Sequence, residues 1–149
     1  MKYLKLIYLS VFCGLISILS FLNIIYSYYL NLYLNLNTYI ATFLISIVLT
    51  LIFYYTKNND EKKISIYEKI TTVILGYFFL PLIISIPFYF SIYNLTFLNS
   101  YFEAVSGFTS TGFTIFENIK HIDQSLIIWR SSSQWLGGLY FLFSIILLI

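Results

Sequence analysis

Between residues 106 and 114 the chain reads Ser106-Gly107-Phe108-Thr109-Ser110-Thr111-Gly112-Phe113-Thr114, a run of hydroxyl side chains broken by two glycines. Hydroxyl residues compete for backbone hydrogen bonds and glycine costs helix entropy, so this density ends a helix. The chemistry it suits is exchange of an ion's hydration shell for fixed oxygens, because backbone carbonyls receive a monovalent cation without adding net charge. Gly112 frees the backbone for conformations barred to other residues. Upstream, Ser100 followed three residues later by Glu103 has the capping-box pattern, which predicts a helix starting near Tyr101. That helix ends near Gly107, with its negative dipole end toward the cation. Glu103 serves it as a cap, or adds negative field at a pore mouth. The same residues also fit a plain Ser/Thr/Gly outer loop between two helices, and at this level both readings stand.

Downstream, Arg130 and Gln134 lie one turn apart on one helix face. An arginine at mid-bilayer costs ~2.5–3.5 kcal/mol on insertion scales, so Arg130 is expected within the first turns, snorkelling outward or touching the loop in a structural role. Gly137-Gly138 permits close helix approach. Glu117, Lys120, His121 and Asp123 fall together after the loop. A His–carboxylate pair can do acid–base work, but with no ordered nucleophile nearby the group reads as a solvated loop.

The elements that carry these residues follow from composition. Of 149 residues 60% are hydrophobic and 9% charged, against about a quarter charged in soluble domains, which places the chain in the membrane class. No charged residue lies between Lys5 and Lys57, or between Lys69 and Glu103. A span needs roughly 20 apolar residues, so the first gap holds two and the second one. Expected spans are residues 6–26, 38–55, 67–93 and 123–149, the third bent by Pro81 and Pro87. The fold expected is an all-α membrane protein of four transmembrane helices plus one re-entrant pore helix and filter loop. Residues 1–63 form a two-helix extension and residues 64–149 one helix–pore loop–helix repeat. Cys13 is the sole cysteine, which excludes an intrachain disulfide. The apolar run after Lys2 and Lys5 outlasts a signal peptide and reads as an uncleaved first helix. Asn31, Asn35 and Asn37 mark a turn under an aromatic belt. Asn94-Leu95-Thr96 matches a glycosylation sequon and reads as a turn.

Basic residues set the topology. Lys2 and Lys5 precede the first span, and Lys57, Lys62, Lys63 and Lys69 flank the second connection, while the first connection has none. The positive-inside bias therefore puts the N-terminus and the lysine-rich loop in the cytoplasm, and residues 117–123 outside. The last helix ends on apolar residues without a basic anchor, which reads as truncation.

Phe102-Glu103-Ala104-Val105, leading into Ser106-Gly107-Phe108-Thr109-Ser110-Thr111-Gly112, resembles the first pore loop of the Trk/Ktr family of potassium-uptake membrane subunits. Trp129-Arg130-Ser131-Ser132-Ser133-Gln134-Trp135-Leu136-Gly137-Gly138 resembles the start of that family's following helix. The resemblance covers residues 97–139. It implies a backbone filter at Ser110, Thr111, Gly112 and Phe113, with K+ held at Ser110, Thr111 and Gly112. It implies further pore repeats, supplied by other copies or a separate chain, and a cytoplasmic nucleotide-binding regulatory subunit. It also implies a multi-pass protein of the plasma (bacterial inner) membrane. Ser110 stands where the family more often has Thr, and Phe113 where many members have Ala. The family carries four such repeats in one chain, and this sequence holds one.

The function expected is potassium, or monovalent cation, transport by an N-terminal part of such a system, with no cofactor beyond the transported ion. A homo-oligomeric pore-loop cation channel and a non-transporting membrane interaction protein are the alternatives. Residues 6–56 and 70–102 hold no His, Asp, Glu or Lys, which argues against an intramembrane enzyme. A net charge of +2 argues against nucleic acid as a partner.

Overall fold

The computed structural model describes residues 3–56, 65–117 and 122–149. Among them the chain forms α1 (Tyr3–Tyr29), a 3-10 turn (Tyr33–Asn35), α2 (Leu36–Tyr55), α3 (Ile66–Tyr89), α4 (Phe97–Phe108) and α5 (Gln124–Leu148). Four segments are long and apolar enough to cross a membrane: Ile7–Tyr29, Tyr33–Tyr55, Ile66–Tyr89 and Gln124–Leu148. The lysine-rich loop from Lys57 to Lys63 lies outside the described residues, as do Lys120 and His121.

The turns use asparagine where the backbone must become left-handed, a region in which its short polar side chain is tolerated. Asn31 has φ 56° between α1 and α2, and Asn94 has φ 49° between α3 and α4. The third span was expected to reach residue 93, but α3 ends at Tyr89. There Ser91 Oγ donates to the Phe88 carbonyl at 2.7 Å and the chain enters a series of turns.

Helices α1 and α2 form the most extensive pairing. Hydroxyl residues are buried along both helices: Ser10, Ser17, Thr38, Thr42 and Ser46. Along α2 these groups bond their own helix, from Thr42 to the Thr38 carbonyl (2.8 Å), Ser46 to Thr42 (2.7 Å) and Thr50 to Ser46 (2.7 Å). Ser10 Oγ crosses to the Thr50 carbonyl at 3.1 Å. Small hydroxyl residues let helix backbones approach closely in an apolar medium.

The hairpin is fastened to α5 by a polar network at one end of the bundle. Asn35 is fully buried; its Nδ2 donates to Asp123 Oδ2 at 2.8 Å and its Oδ1 accepts from the Ile92 N–H. Asp123 Oδ1 caps α5 by accepting from Ser125 N at 3.0 Å. Tyr39 and Ser125 share a 2.9 Å hydroxyl pair, and Asn23 Nδ2 donates to the Ser125 carbonyl. Below this network the core is aromatic. Phe12, Tyr77 and Phe108 ring Tyr140, with centroids 4.8, 5.0 and 5.4 Å from it. Gly76 makes the room, since a Cβ there would meet the Tyr140 ring.

Helix α3 continues through Pro81 and Pro87. Each proline removes one helical donor and its ring pushes on the carbonyl four residues back, opening that turn. Beside each opened position a carbonyl takes a side-chain donor from another helix. Tyr101 Oη donates to the Phe78 carbonyl (3.1 Å) and Trp129 Nε1 to the Ile84 carbonyl (3.0 Å). These two bonds tie α3 to α4 and α5.

Candidate functional site

Helix α4 spans 12 residues, about 18 Å at 1.5 Å each, too short to cross a bilayer. It starts four residues earlier than the Ser100–Glu103 pattern predicts. Its cap is Thr96, whose hydroxyl accepts from Asn99 N at 3.3 Å. Ser100 sits inside the helix and donates to the Thr96 carbonyl. Glu103 is fully buried and faces the chain beyond the helix. The capping assignment for these two residues is therefore corrected. The physical reason is tertiary: the Glu103 carboxylate has an arginine within reach, a stronger partner than a backbone N–H.

After Phe108 the chain folds back alongside α4. Thr111 N donates to the Ser106 carbonyl at 3.1 Å, and Ser106 Oγ to the Phe113 carbonyl at 2.5 Å. Further back, Glu103 accepts from Thr114 Oγ1 (3.0 and 3.1 Å) and from Ile115 N (3.1 Å). The reversal needs two left-handed residues, Ser110 at φ 56° and Gly112 at φ 82°. Glycine adopts this conformation freely, whereas serine carries strain in it. Residues 109–113 are exposed, and Phe113 is 71% exposed.

Arg130, from the second turn of α5, closes the arrangement. Its Nε donates to Glu103 Oε1 at 2.6 Å, while Nη2 donates to the Gly112 carbonyl (3.1 Å) and the Phe113 carbonyl (2.9 Å). The expected contact between arginine and loop is present, and it reaches two of the four carbonyls anticipated as ion ligands. The pair is nearly dry, with Arg130 17% exposed and Glu103 fully buried. Removing one partner of such a pair strands a buried charge and costs about 3–5 kcal/mol. Gln134, one turn on, accepts at its carbonyl from Ser110 Oγ at 3.5 Å, a long contact.

The two glycines of α5 differ. A Cβ at Gly137 would strike the backbone carbonyl of Phe108, so Gly137 is where α5 and the end of α4 touch. A Cβ at Gly138 would meet nothing within 4 Å, so Gly138 takes no part in that approach. Gly107 makes a second close contact, with Ser133. An open recess of about 400 Å³ lies beside the loop, lined by Tyr77, Phe108, Thr109, Ser110, Gly138 and Phe141 among others.

In the loop before α5, Asp123 is committed to capping and to Asn35, and Glu117 is exposed. Among the described residues no group of three His, Cys, Asp or Glu side chains is placed to hold a metal. Sequence reasoning missed Thr96, Thr114, Tyr101 and Trp129. Only Thr96 carried a local signal, a cap residue directly before an apolar turn.

Four membrane-length helices around a short helix and a hydroxyl-rich return, held by a buried ion pair, define a multi-pass membrane protein with one internally braced polar segment. Residues 35–148 match the TrkH family, described as cation transport protein, and the chain belongs to that family. It is a family of transporters, not of enzymes. An uncharacterized cation transporter of Methanocaldococcus jannaschii is 27% identical over 131 residues, covering 87% of this chain and 27% of the relative. The Trk system potassium uptake protein TrkI of Halomonas elongata is 40% identical over 60 residues, covering 40% of this chain and 11% of its own length. The Trk system potassium uptake protein TrkH of Salmonella typhimurium is 27% identical over 99 residues, covering 66% and 20%. The chain thus spans about a quarter or less of the curated relatives it matches. No solved structure matches it.

Proposed function

We propose that this chain is a translocating element of a potassium-uptake system in the plasma (bacterial inner) membrane, and that residues 110–113 form its share of a backbone filter. The observation that carries the reading is the return after α4. There, a short helix ends in exposed non-helical backbone, with two left-handed residues braced from behind by Glu103 and Arg130. Backbone of this kind at membrane depth requires a water-filled or protein-lined surrounding, which a pore provides. The family membership supports cation transport, and the names of the Halomonas and Salmonella relatives support potassium.

In this reading α4 re-enters the membrane from outside and points its carbonyl end at the ion. Residues 1–63 are a two-helix extension and residues 64–149 the first repeat. The lysine bias sets the N-terminus in the cytoplasm. One loop supplies part of an ion's cage, so further pore repeats complete it, and a cytoplasmic nucleotide-binding subunit regulates the assembly.

The test is potassium uptake in cells without their own uptake system, comparing native protein with Gly112→Val. At φ 82° a β-branched residue cannot hold the backbone in place, yet no atom lies within 4 Å of its Cβ. Membrane insertion should persist while uptake falls by about tenfold or more, as a shift of 1.4 kcal/mol or more in ion binding would give. Native-level uptake by an inserted Gly112→Val protein refutes the reading.

A further inference from the structure

We infer that the four carbonyls of residues 110–113 divide into two pairs: Ser110 and Thr111 face the ion, while Arg130 withholds those of Gly112 and Phe113, making Arg130 a selectivity-positioning residue. The inference rests on the proposed ion path and narrows it.

The division is visible in the hydrogen bonds. Among the described residues no donor reaches the carbonyl of Ser110 or Thr111, and both residues are exposed. The next two carbonyls are taken. Gly112 accepts from Arg130 Nη2 at 3.1 Å; Phe113 accepts from the same nitrogen at 2.9 Å and from Ser106 Oγ. A carbonyl engaged by a guanidinium gives part of its acceptor capacity to a positive group, which makes it a weaker ligand for a cation than a free carbonyl. The left-handed turns at Ser110 and Gly112 reverse the backbone on either side of Thr111, which lets neighbouring carbonyls take different directions.

Arginine near a cation path is an electrostatic liability unless its charge is answered. Here it is answered within the pair: Glu103 Oε1 lies 2.6 Å from Arg130 Nε and is fully buried. The same carboxylate accepts from Thr114 and Ile115. Both ends of the return segment are therefore fixed to one neutral unit, and Arg130 acts through the carbonyls it holds. The fork geometry matters. A guanidinium can bond Glu103 through Nε and two carbonyls through Nη2 at once, whereas the single ammonium of lysine can keep the carboxylate but not the fork.

The first test is transport by the native assembly containing this chain, expressed in cells lacking their own potassium uptake, against Arg130→Lys and Glu103→Gln. For Arg130→Lys, membrane abundance should persist. KM for potassium and the discrimination against sodium should each change by about tenfold, the equivalent of one charge-assisted hydrogen bond. Glu103→Gln leaves the arginine charge unanswered and should raise KM for every cation alike. Reduced abundance with unchanged KM and unchanged discrimination in Arg130→Lys would show a merely structural residue and overturn the inference. The second test does not depend on a variant folding. Infrared difference spectra between potassium and sodium, with a 13C label at one carbonyl, should shift the Thr111 band and leave the Gly112 band in place. A shift at Gly112 in a protein that takes up potassium overturns the division while the proposed function stands. Absence of uptake by the native assembly, with no shift at any labelled carbonyl, removes both.

Discussion

Replacing Gly137 with alanine puts a methyl group where the Phe108 carbonyl stands, and the obstacle is backbone rather than a flexible side chain. Gly138, the next residue, offers an internal control because a methyl there meets nothing within 4 Å. In a helix interior alanine is favoured over glycine by about 1 kcal/mol, a gain available at both positions. At Gly137 overpacking against α4 costs about 1–3 kcal/mol, and the upper end applies because neither backbone can step aside alone. Gly137→Ala should thus lose about 1–2 kcal/mol net, and Gly138→Ala should hold steady or gain up to about 1 kcal/mol. Thermal unfolding in detergent, followed by the fluorescence of buried Trp129, reads the difference. At about 2–4 °C per kcal/mol for a chain of this size, Gly137→Ala should melt roughly 2–8 °C below native and Gly138→Ala no lower than native. Phe108 also ends α4, so the displaced carbonyl carries the start of the return segment with it. Equal melting of the two variants, or a stable Gly137→Ala, would refute the close approach of α5 to α4.

Trp129→Phe removes the donor to the Ile84 carbonyl beside Pro87 at a buried site. It should cost about 1–3 kcal/mol in the same melt, whereas Tyr101→Phe, at a more exposed bond, should cost about 1 kcal/mol or less. Equal losses would contradict the role assigned to burial. For topology, single cysteines at Asn59 and Glu117, with Cys13→Ser, should react with an impermeant maleimide from inside and outside respectively; labelling of position 59 in intact cells reverses the orientation.

The four spans were legible because apolar length is a property of the sequence itself, and helix ends moved by only a few residues. Where they moved, the cause was a local turn, as at Tyr89, after which Asn94 adopts its left-handed conformation. Glu103 shows the limit. Its spacing from Ser100 matches a cap, but its carboxylate is spent on Arg130, 27 residues away, and no periodicity encodes a pairing across two helices. The bond from Trp129 to the carbonyl beside Pro87 is equally silent. Proline announces an opened turn, but which side chain answers it depends on how α5 lies against α3. For Arg130 the sequence indicated depth and a structural part, while its two carbonyl partners emerged only from the left-handed backbone of Ser110 and Gly112.

The buried hydroxyls of α1 and α2 bear on how the chain enters the bilayer during synthesis. Thr42, Ser46 and Thr50 bond carbonyls of their own helix, so that helix can leave water with those groups already satisfied. Asn23 and Asn35 differ, because their amide donors go to Ser125 and Asp123, 102 and 88 residues later in the chain. Until the ribosome has delivered α5, both amides wait at the membrane edge without these acceptors. Helix α2 is thus self-sufficient along its length, while the hairpin is unfinished at one end. Arrival of α5 completes that end, with Asp123 and Ser125 as the pieces that close it.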